Sequence, residues 1–300
     1  MTKLAPIALF AYNRPAHIRL TVEALQRNAL ARDSDLTIFS DAPKSKSQAE
    51  SVREVREYIR TISGFNSVSI IERGENWGLA NSIIDGVTSI VNKHGRIIVL
   101  EDDIVTSPHF LSFMNDALNA YQNEEKVMHI SGYMFPIDAA GLPETFFLRP
   151  TSCWGWATWD RAWKNFNKNP KGLLDEISKQ AIYRFNMDGA YDYWGQIEQN
   201  ESGILNTWAV FWYASVFQMD GLSLHPGSSM TINIGHDGTG ENCRESEVFT
   251  SALANKPITY YEKNITESMP AHNLTRRYLR NIRPSIFYRL FAAIKSRVAN

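Results

Sequence analysis

Cysteine is almost missing from this chain: Cys153 and Cys243 are the only two in 300 residues. Two thiols form no disulfide framework, so a reducing cytosol is the simpler setting. Long apolar runs are missing as well. No stretch reaches the roughly 18 uncharged apolar residues that a membrane-spanning helix requires. The early apolar run Ile7–Ala11 is too short for the core of a secretory signal and leads straight into Asn13-Arg14-Pro15. An excess of one charge is missing too. The chain has 31 Lys and Arg against 32 Asp and Glu, a formal net charge of −1, so no global basic field selects nucleic acid as a partner. Acid is missing locally: beyond Glu267 there is no Asp or Glu, while basic residues continue from Arg276 to Arg297.

Hydrophobic residues make up 44% of the chain, enough for the core of one large domain or one and a half. Tryptophan is concentrated, with all but Trp77 lying between Trp154 and Trp212. These biases divide the chain into an N-terminal half (1–135), an aromatic second half of the same domain (136–265) and a basic tail (266–300).

Two hydrophobic periods alternate over the first part of the chain. Ile7–Ala11 is a short apolar run of the buried-strand kind, and Ile18, Val22, Leu25 and Ala29 then recur at helical spacing. Leu36–Phe39 (ending at Ser40-Asp41), Val68–Ile71, Ile97–Leu100 and Val127–Ile130 give further strands. Leu79, Ile83, Val87 and Ile90, and later Phe110, Met114 and Leu118, mark helices between them. Thr106-Ser107-Pro108 reads as a cap with proline in the first turn of the later helix. This alternation predicts an α/β fold with a mostly parallel central sheet covered by helices on both faces. Ligands of such sheets bind beyond the carboxyl ends of the strands. Tyr12-Asn13-Arg14, Asp41 and Glu101-Asp102-Asp103 all stand at predicted strand C-termini, so they are expected to share one edge and form a site.

Three adjacent acids at a strand end repel one another unless a cation or hydrogen-bond donors compensate. Carboxylate oxygens suit hard ions such as Mn2+ or Mg2+, above all where phosphates supply the remaining ligands, and such an ion would stabilise a diphosphate leaving group. Arg14 could pair with phosphate, and Asp41 could accept from a base or ribose. The other reading of the triplet is a solvated cap on the following helix. In Cys153–Trp163, Trp156, Trp159 and Trp163 fit one helical face and read as core, whereas Trp154-Gly155 precedes that face and reads as pocket lining. Asn233–Gly240 is a polar loop with spaced glycines that let backbone approach a ligand, and His236 within it could ligate a metal or contact phosphate. The tail carries Arg276, Arg277, Arg280 and Arg283 ahead of Ile286, Leu290, Ile294 and Val298 at helical spacing, with Phe287, Tyr288 and Phe291 among them. It reads either as a peripheral anchor to an anionic membrane or as a helix docked on the domain.

Ala11-Tyr-Asn-Arg-Pro15, Asn76-Trp-Gly-Leu-Ala80, Val99-Leu-Glu-Asp-Asp103 with Ser107-Pro108-His-Phe110, and Gly155-Trp156 together resemble a bacterial GT-A-type glycosyltransferase. More distantly they are similar to the eukaryotic N-acetylglucosaminyltransferase I family, over about residues 5–245. The resemblance implies a GT-A fold, a nucleotide-diphosphate-sugar donor such as a UDP-sugar, and Mn2+. It implies Asp103 on the metal, Asp102 near the donor sugar and ribose, Arg14 on the nucleotide and Asp41 on the base, which leaves Glu101 as the structural member of the triplet. Tyr12, Asn13, Asn76, Gly78, Trp154 and Gly155 would complete the nucleotide-sugar site. The relatives carry a catalytic aspartate where this chain has Thr207–Trp212, which holds no acid. Asp192, Glu198, Glu201 and Asp237 are the acids available as general base.

The expected function is sugar transfer to a glycan or lipid-linked acceptor in bacterial surface polysaccharide synthesis (capsule or O-antigen), at the cytoplasmic face of the inner membrane. A sugar-nucleotide nucleotidyltransferase is the first alternative, but it would want a glycine-rich basic loop after the first strand, where this chain has Tyr-Asn-Arg-Pro. A non-catalytic carbohydrate-binding module is the second.

Overall fold

A computed structural model describes residues 3–238 and 248–282. The strands are β1 (Ile7–Ala11), β2 (Asp35–Ser40), β3 (Ser67–Glu72), β4 (Arg96–Glu101), β5 (Ile104–Thr106), β6 (Val127–Ser131), β7 (Thr145–Leu148), β8 (Trp156–Trp159), β9 (Leu222–Pro226) and β10 (Thr231–Asn233). The helices are α1 (Pro15–Gln26), α2 (Ala49–Ile59), α3 (Gly78–His94), α4 (Phe110–Ala120), α5 (Asp160–Trp163), α6 (Pro170–Glu176), α7 (Lys179–Phe185), α8 (Tyr193–Glu201), α9 (Ala209–Gln218) and α10 (Met269–Asn281). None of these helices is long and apolar enough to cross a membrane.

The central sheet has the order β3-β2-β1-β4-β8-β6-β9-β7. Strands β3, β2, β1 and β4 are parallel, β8 runs antiparallel to both β4 and β6, β9 is parallel to β6, and β7 is reversed. The sheet is therefore mixed and mostly parallel, with β7 and β8 opposing the rest. Because β8 inserts between β4 and β6, residues from both halves of the chain share one sheet. Side chains alternate across it as the pleat requires. Ile7 and Leu9 of β1 and Ile98 and Leu100 of β4 join α1, α2 and α4 in one core layer. Ala8, Phe10, Ile97 and Val99 join α3, α5 and α9 in the other. An all-apolar strand such as Ile-Ala-Leu-Phe-Ala is what a strand buried on both faces needs. Helix α2, absent from the pattern read above, buries Val52, Val55 and Ile59 on the first layer's side.

The tryptophan segment departs from expectation. Trp156–Trp159 is a strand, and only Asp160–Trp163 turns into a helix. In a strand, residues three apart point to opposite faces, so Trp159 enters the first core layer while Trp156 enters the second beside Trp163. The core reading holds; the shared helical face does not. Trp156 is fully buried among Trp163, Trp208 and Trp212, and truncating it to Ala would cost about 3–5 kcal/mol. Near the other motif, α4 begins at Phe110 rather than at Pro108. Ser107 still accepts from the His109 N–H, but as a turn ahead of the helix.

A separate antiparallel ribbon joins β5, directly after the acid triplet, to β10. It lays the segment that follows β10 over the end of β4, where the Ile234 N–H donates to the Asp103 carbonyl at 2.9 Å.

At the C-terminal side, Arg276, Arg277 and Arg280 belong to α10, which docks on the domain by burying Ala271, His272, Thr275 and Leu279. Arg283 and the apolar positions from Ile286 to Val298 lie outside the described residues, as do Cys243 and Gly240. His272 is held by Glu267 (3.0 Å) and Asp188 (3.0 Å), with Arg149 on Glu267 and Arg276 on Asp188. The hydrogen bond to Glu267 leads in raising its pKa above the ordinary histidine value, against the opposing effect of burial. A folded pKa above the unfolded one adds stability that is complete below about pH 6.5 and is lost as pH rises through the folded value, at about 1.4 kcal/mol per unit of elevation. Denaturation between pH 5.5 and 8.5 should show this decline, and His272→Gln should flatten it. An unchanged slope in that variant would contradict the assignment.

Candidate functional site

A cavity of about 240 Å³ opens at the C-terminal ends of β1, β2 and β4. It is close to the lower end of the range of about 300–1,000 Å³ for small-molecule sites. The β1–α1 turn supplies Tyr12, Asn13 and Arg14. The end of β2 supplies Asp41, the start of α3 supplies Asn76 and Gly78, and the end of β4 supplies Glu101, Asp102 and Asp103. Trp154 and Cys153 before β8, Asn206 to Ala209 at the start of α9, and Asn233 close the far side. The three expected strand-end clusters do converge on one edge.

Local structure fixes each acid differently. Asp41 lies at the N-terminus of α3. Its Oδ1 accepts from the Ala42 and Trp77 N–H groups (both 2.9 Å), and its Oδ2 accepts from the Gly78 N–H (2.8 Å) and the Asn76 amide (3.2 Å). Four bonds leave this carboxylate little capacity for a ligand, so its evident work is to bind the Asn76–Gly78 segment to β2. Asp102 accepts from the Tyr12 N–H at 3.0 Å, and its carbonyl accepts from Thr21 of α1 at 2.8 Å. Asp103 takes the Arg14 guanidinium at 2.8 Å through Oδ2, while its buried Oδ1 has no hydrogen-bond partner among the described residues. The Glu101 carboxylate and the Asn13 amide make no hydrogen bond or ion pair among the described residues.

The electrostatics follow. Burial, then the charges of Asp103 and Asp102, raise the Glu101 pKa well above the carboxylate range. Burial and Asp103 push Asp102 up to about 7 against the Tyr12 N–H and Arg14. Burial raises Asp103, and Arg14 opposes it. The site is short of positive charge, which is what a divalent cation supplies. Among the described residues no three His, Cys, Asp or Glu side chains gather as a metal cluster. A hard cation would therefore take one or two carboxylates and draw its other ligands from phosphate or water, as Mg2+-type sites do. The unpartnered Asp103 Oδ1 fits that pattern.

Other expected residues lie elsewhere. Gly155 does not line the cavity. Its φ of +71° and a virtual Cβ only 2.7 Å from Thr231 show a glycine required by backbone conformation and tight packing. Asp192 is exposed and caps α8, accepting from the Gly195 N–H at 3.1 Å. Glu198 and Glu201 are exposed on α8 away from the cavity. Asp237 sits at the rim, paired with Arg14 (3.2 Å) and His17 (3.1 Å). His236 lines a second cavity, its ring edge-on to Trp154 at 5.2 Å, with both nitrogens lacking partners among the described residues. Thr207 and Trp208 line the first cavity without an acid. The polar pair Asn206-Thr207 directly before the apolar run of α9 marks this wall in the sequence, and Thr207 is held there by Asn200.

Behind the far wall, buried His129 accepts from the Trp212 indole at 3.0 Å through Nδ1, which leaves Nε2 to donate to the Ser152 carbonyl at 3.1 Å. Burial holds this imidazole well below the usual histidine pKa, so it stays neutral and fixes the segment that carries Cys153 and Trp154.

No protein-family model and no curated protein matches the chain. Solved structures do. A mannosyltransferase from Pyrobaculum calidifontis, in complex with GDP-Man and Mn2+, is 9% identical with a TM-score of 0.39, covering 73% of this chain and 70% of that one. Mouse xyloside xylosyltransferase 1 in its apo form is 11% identical with a TM-score of 0.38, covering 72% and 82%. A UDP-glucose pyrophosphorylase complexed with UDP-glucose is 10% identical with a TM-score of 0.38, covering 74% and 90%. At such distances the site's own geometry decides what it can bind.

Gly235 shows how tightly that geometry is built. A Cβ there would stand 2.1 Å from Asp103 Oδ2 and 2.8 Å from Arg14 Nη1. Gly235→Ala should unseat the ion pair and lower stability by about 1–3 kcal/mol, read as a fall in Tm. An unchanged Tm would contradict the close approach.

Proposed function

We propose that the chain is a glycosyltransferase that takes a nucleotide-diphosphate sugar, with a UDP-sugar first among donors, in the cavity at the ends of β1, β2 and β4. The observation that carries this reading is the carboxylate cluster at the end of β4, which faces a cavity and lacks enough positive charge of its own. A donor diphosphate brought in with a divalent cation matches that shortage.

In this reading Asp103 would hold Mn2+ or Mg2+, and His236, which lines the second cavity, would have to leave that wall to join it. When bound, the ion supplies Lewis-acid stabilisation of the departing diphosphate. The chain's own residues do the rest. Arg14 turns from Asp103 towards phosphate, for which a guanidinium fork is well suited. Tyr12, Asn13 and Asn76 edge the nucleoside, Asp41 and Gly78 shape that wall, and Asp102 and Glu101 accept from hydroxyls of ribose and sugar. Asp237 is the base candidate at the site rim, and Arg14 turning away leaves its carboxylate beside His17. Asp192 and Glu198 lack this proximity. The acceptor is a glycan or lipid-linked saccharide of a bacterial surface polymer, and residues 283–300 give peripheral contact with an anionic membrane.

Thermal-shift measurements with nucleotide-sugars should show stabilisation that depends on Mn2+. Asp103→Asn should weaken donor binding at least about tenfold, or roughly 1.4 kcal/mol. Full donor affinity in that variant would remove the metal assignment. Asp237→Asn should lower kcat for transfer while leaving the donor Kd in place, and an unchanged kcat would exclude it as base. Because α10 is part of the fold, truncation should begin at Arg283. The shortened chain should pellet less with phosphatidylserine vesicles, and equal pelleting would discard the anchor.

A further inference from the structure

A second cavity of about 280 Å³ lies against the first, and Cys153, Trp154 and Ala209 belong to the walls of both. Its lining is dominated by aromatic rings, among them His236 with its two nitrogens unpartnered among the described residues, and the hydroxyls of its tyrosines divide into two groups. The Tyr133 hydroxyl donates to the Phe249 carbonyl at 2.8 Å, and the Tyr213 hydroxyl donates to the Phe185 carbonyl at 2.9 Å. These two tyrosines are satisfied within the protein. Tyr191 and Tyr193, at the start of α8, also line the cavity, as does Gln196 one turn on, and their hydroxyls and side-chain amide make no hydrogen bond among the described residues. Tyr191 and Tyr193 pack with ring centroids 4.6 Å apart, and Tyr193 also contacts Tyr213 at 5.2 Å, so their positions are set by ring packing.

Apolar ring surface with unsatisfied donors and acceptors at its edge complements a pyranose, which offers C–H faces and a rim of hydroxyls. A purely apolar ligand would leave the two hydroxyls and the amide unmet, at about 1–3 kcal/mol for each group buried without a partner. The shared wall puts any molecule in this cavity next to one in the first.

Resting on the donor reading above, we propose that this second cavity is the acceptor subsite. It takes one pyranose residue of the acceptor saccharide, with Tyr193 and Gln196 bonding its hydroxyls and Trp154 standing between acceptor and donor. Tyr193 and Gln196 are then residues of acceptor specificity. Burial raises the Tyr193 pKa, which keeps the hydroxyl protonated and able to donate.

The test is saturation-transfer NMR on the full chain with the methyl pyranosides of glucose, galactose, mannose and N-acetylglucosamine, without donor. At least one should bind. That binding should survive both added UDP and Asp103→Asn, and it should weaken about tenfold or more in Gln196→Ala and in Tyr193→Phe. The second variant keeps the packed ring and so keeps the fold. In a transfer assay, the same variants should raise the acceptor KM by a larger factor than they lower kcat. No binding by any of the four, displacement of the glycoside by UDP, or undiminished binding in both variants would overturn the proposal. Glycoside binding that persists in a protein with no affinity for nucleotide-sugars would support this subsite and strike the donor reading instead.

Discussion

Three carboxylates at the end of one strand, answered by the Arg14 guanidinium, are the constraint around which this edge of the sheet is arranged. Arg14 reaches only Asp103 of the three, at 2.8 Å, and it is shared with Asp237. Removing one partner of a partly buried pair leaves the other uncompensated, which typically costs several kcal/mol. The neighbouring chain is built to keep the pair in place. The β5–β10 ribbon lays Gly235 against it, and Thr21 and Tyr12 hold the backbone and carboxylate of Asp102. A fold that only needed a soluble strand end would have no use for such bracing.

The rest of the site is organised as walls of differing rigidity. Asp41 secures the wall at the start of α3 through four hydrogen bonds. Neutral His129 secures the opposite wall through the Ser152 carbonyl. Between these walls, the side chains of Glu101 and Asn13 and the Oδ1 of Asp103 face the cavity without partners among the described residues. Fixed walls with open polar groups between them suit a ligand that arrives with its own charge and hydroxyls.

Much of this was legible in the sequence, for a local reason. A parallel strand buried on both faces is a continuous apolar run, so its end is marked by the first polar residues, and Tyr12, Asp41 and Glu101 were each placed by that rule. What escaped depended on contacts distant in sequence. The ribbon of β5 with β10 joins residues more than a hundred positions apart, and it alone explains Gly235. The tryptophans at 156, 159 and 163 fit a helical period by coincidence, because the strand–helix junction falls between the second and third. Asp192 is a good base by residue type, but its place at a helix start makes it a cap. Gly155 adjoins the cavity wall in sequence, yet its left-handed backbone turns it into the core.

If the triplet is kept for a ligand, the free protein bears it as a burden. Carboxylates whose folded pKa lies above the unfolded value destabilise the fold as pH rises through that interval, and the burden is complete once they are ionised. The Glu101 carboxylate has no partner to lose among the described residues, so it is the group on which to measure this. The decisive experiment compares the unfolding free energy of Glu101→Gln with that of the natural chain at pH 8, in EDTA and then with Mn2+ and a nucleotide-sugar. The variant should be the more stable protein in EDTA and should gain less from the ligands. A variant that is less stable in EDTA and gains as much from the ligands would mean that the acids serve the fold, and the account of a donor site would be wrong.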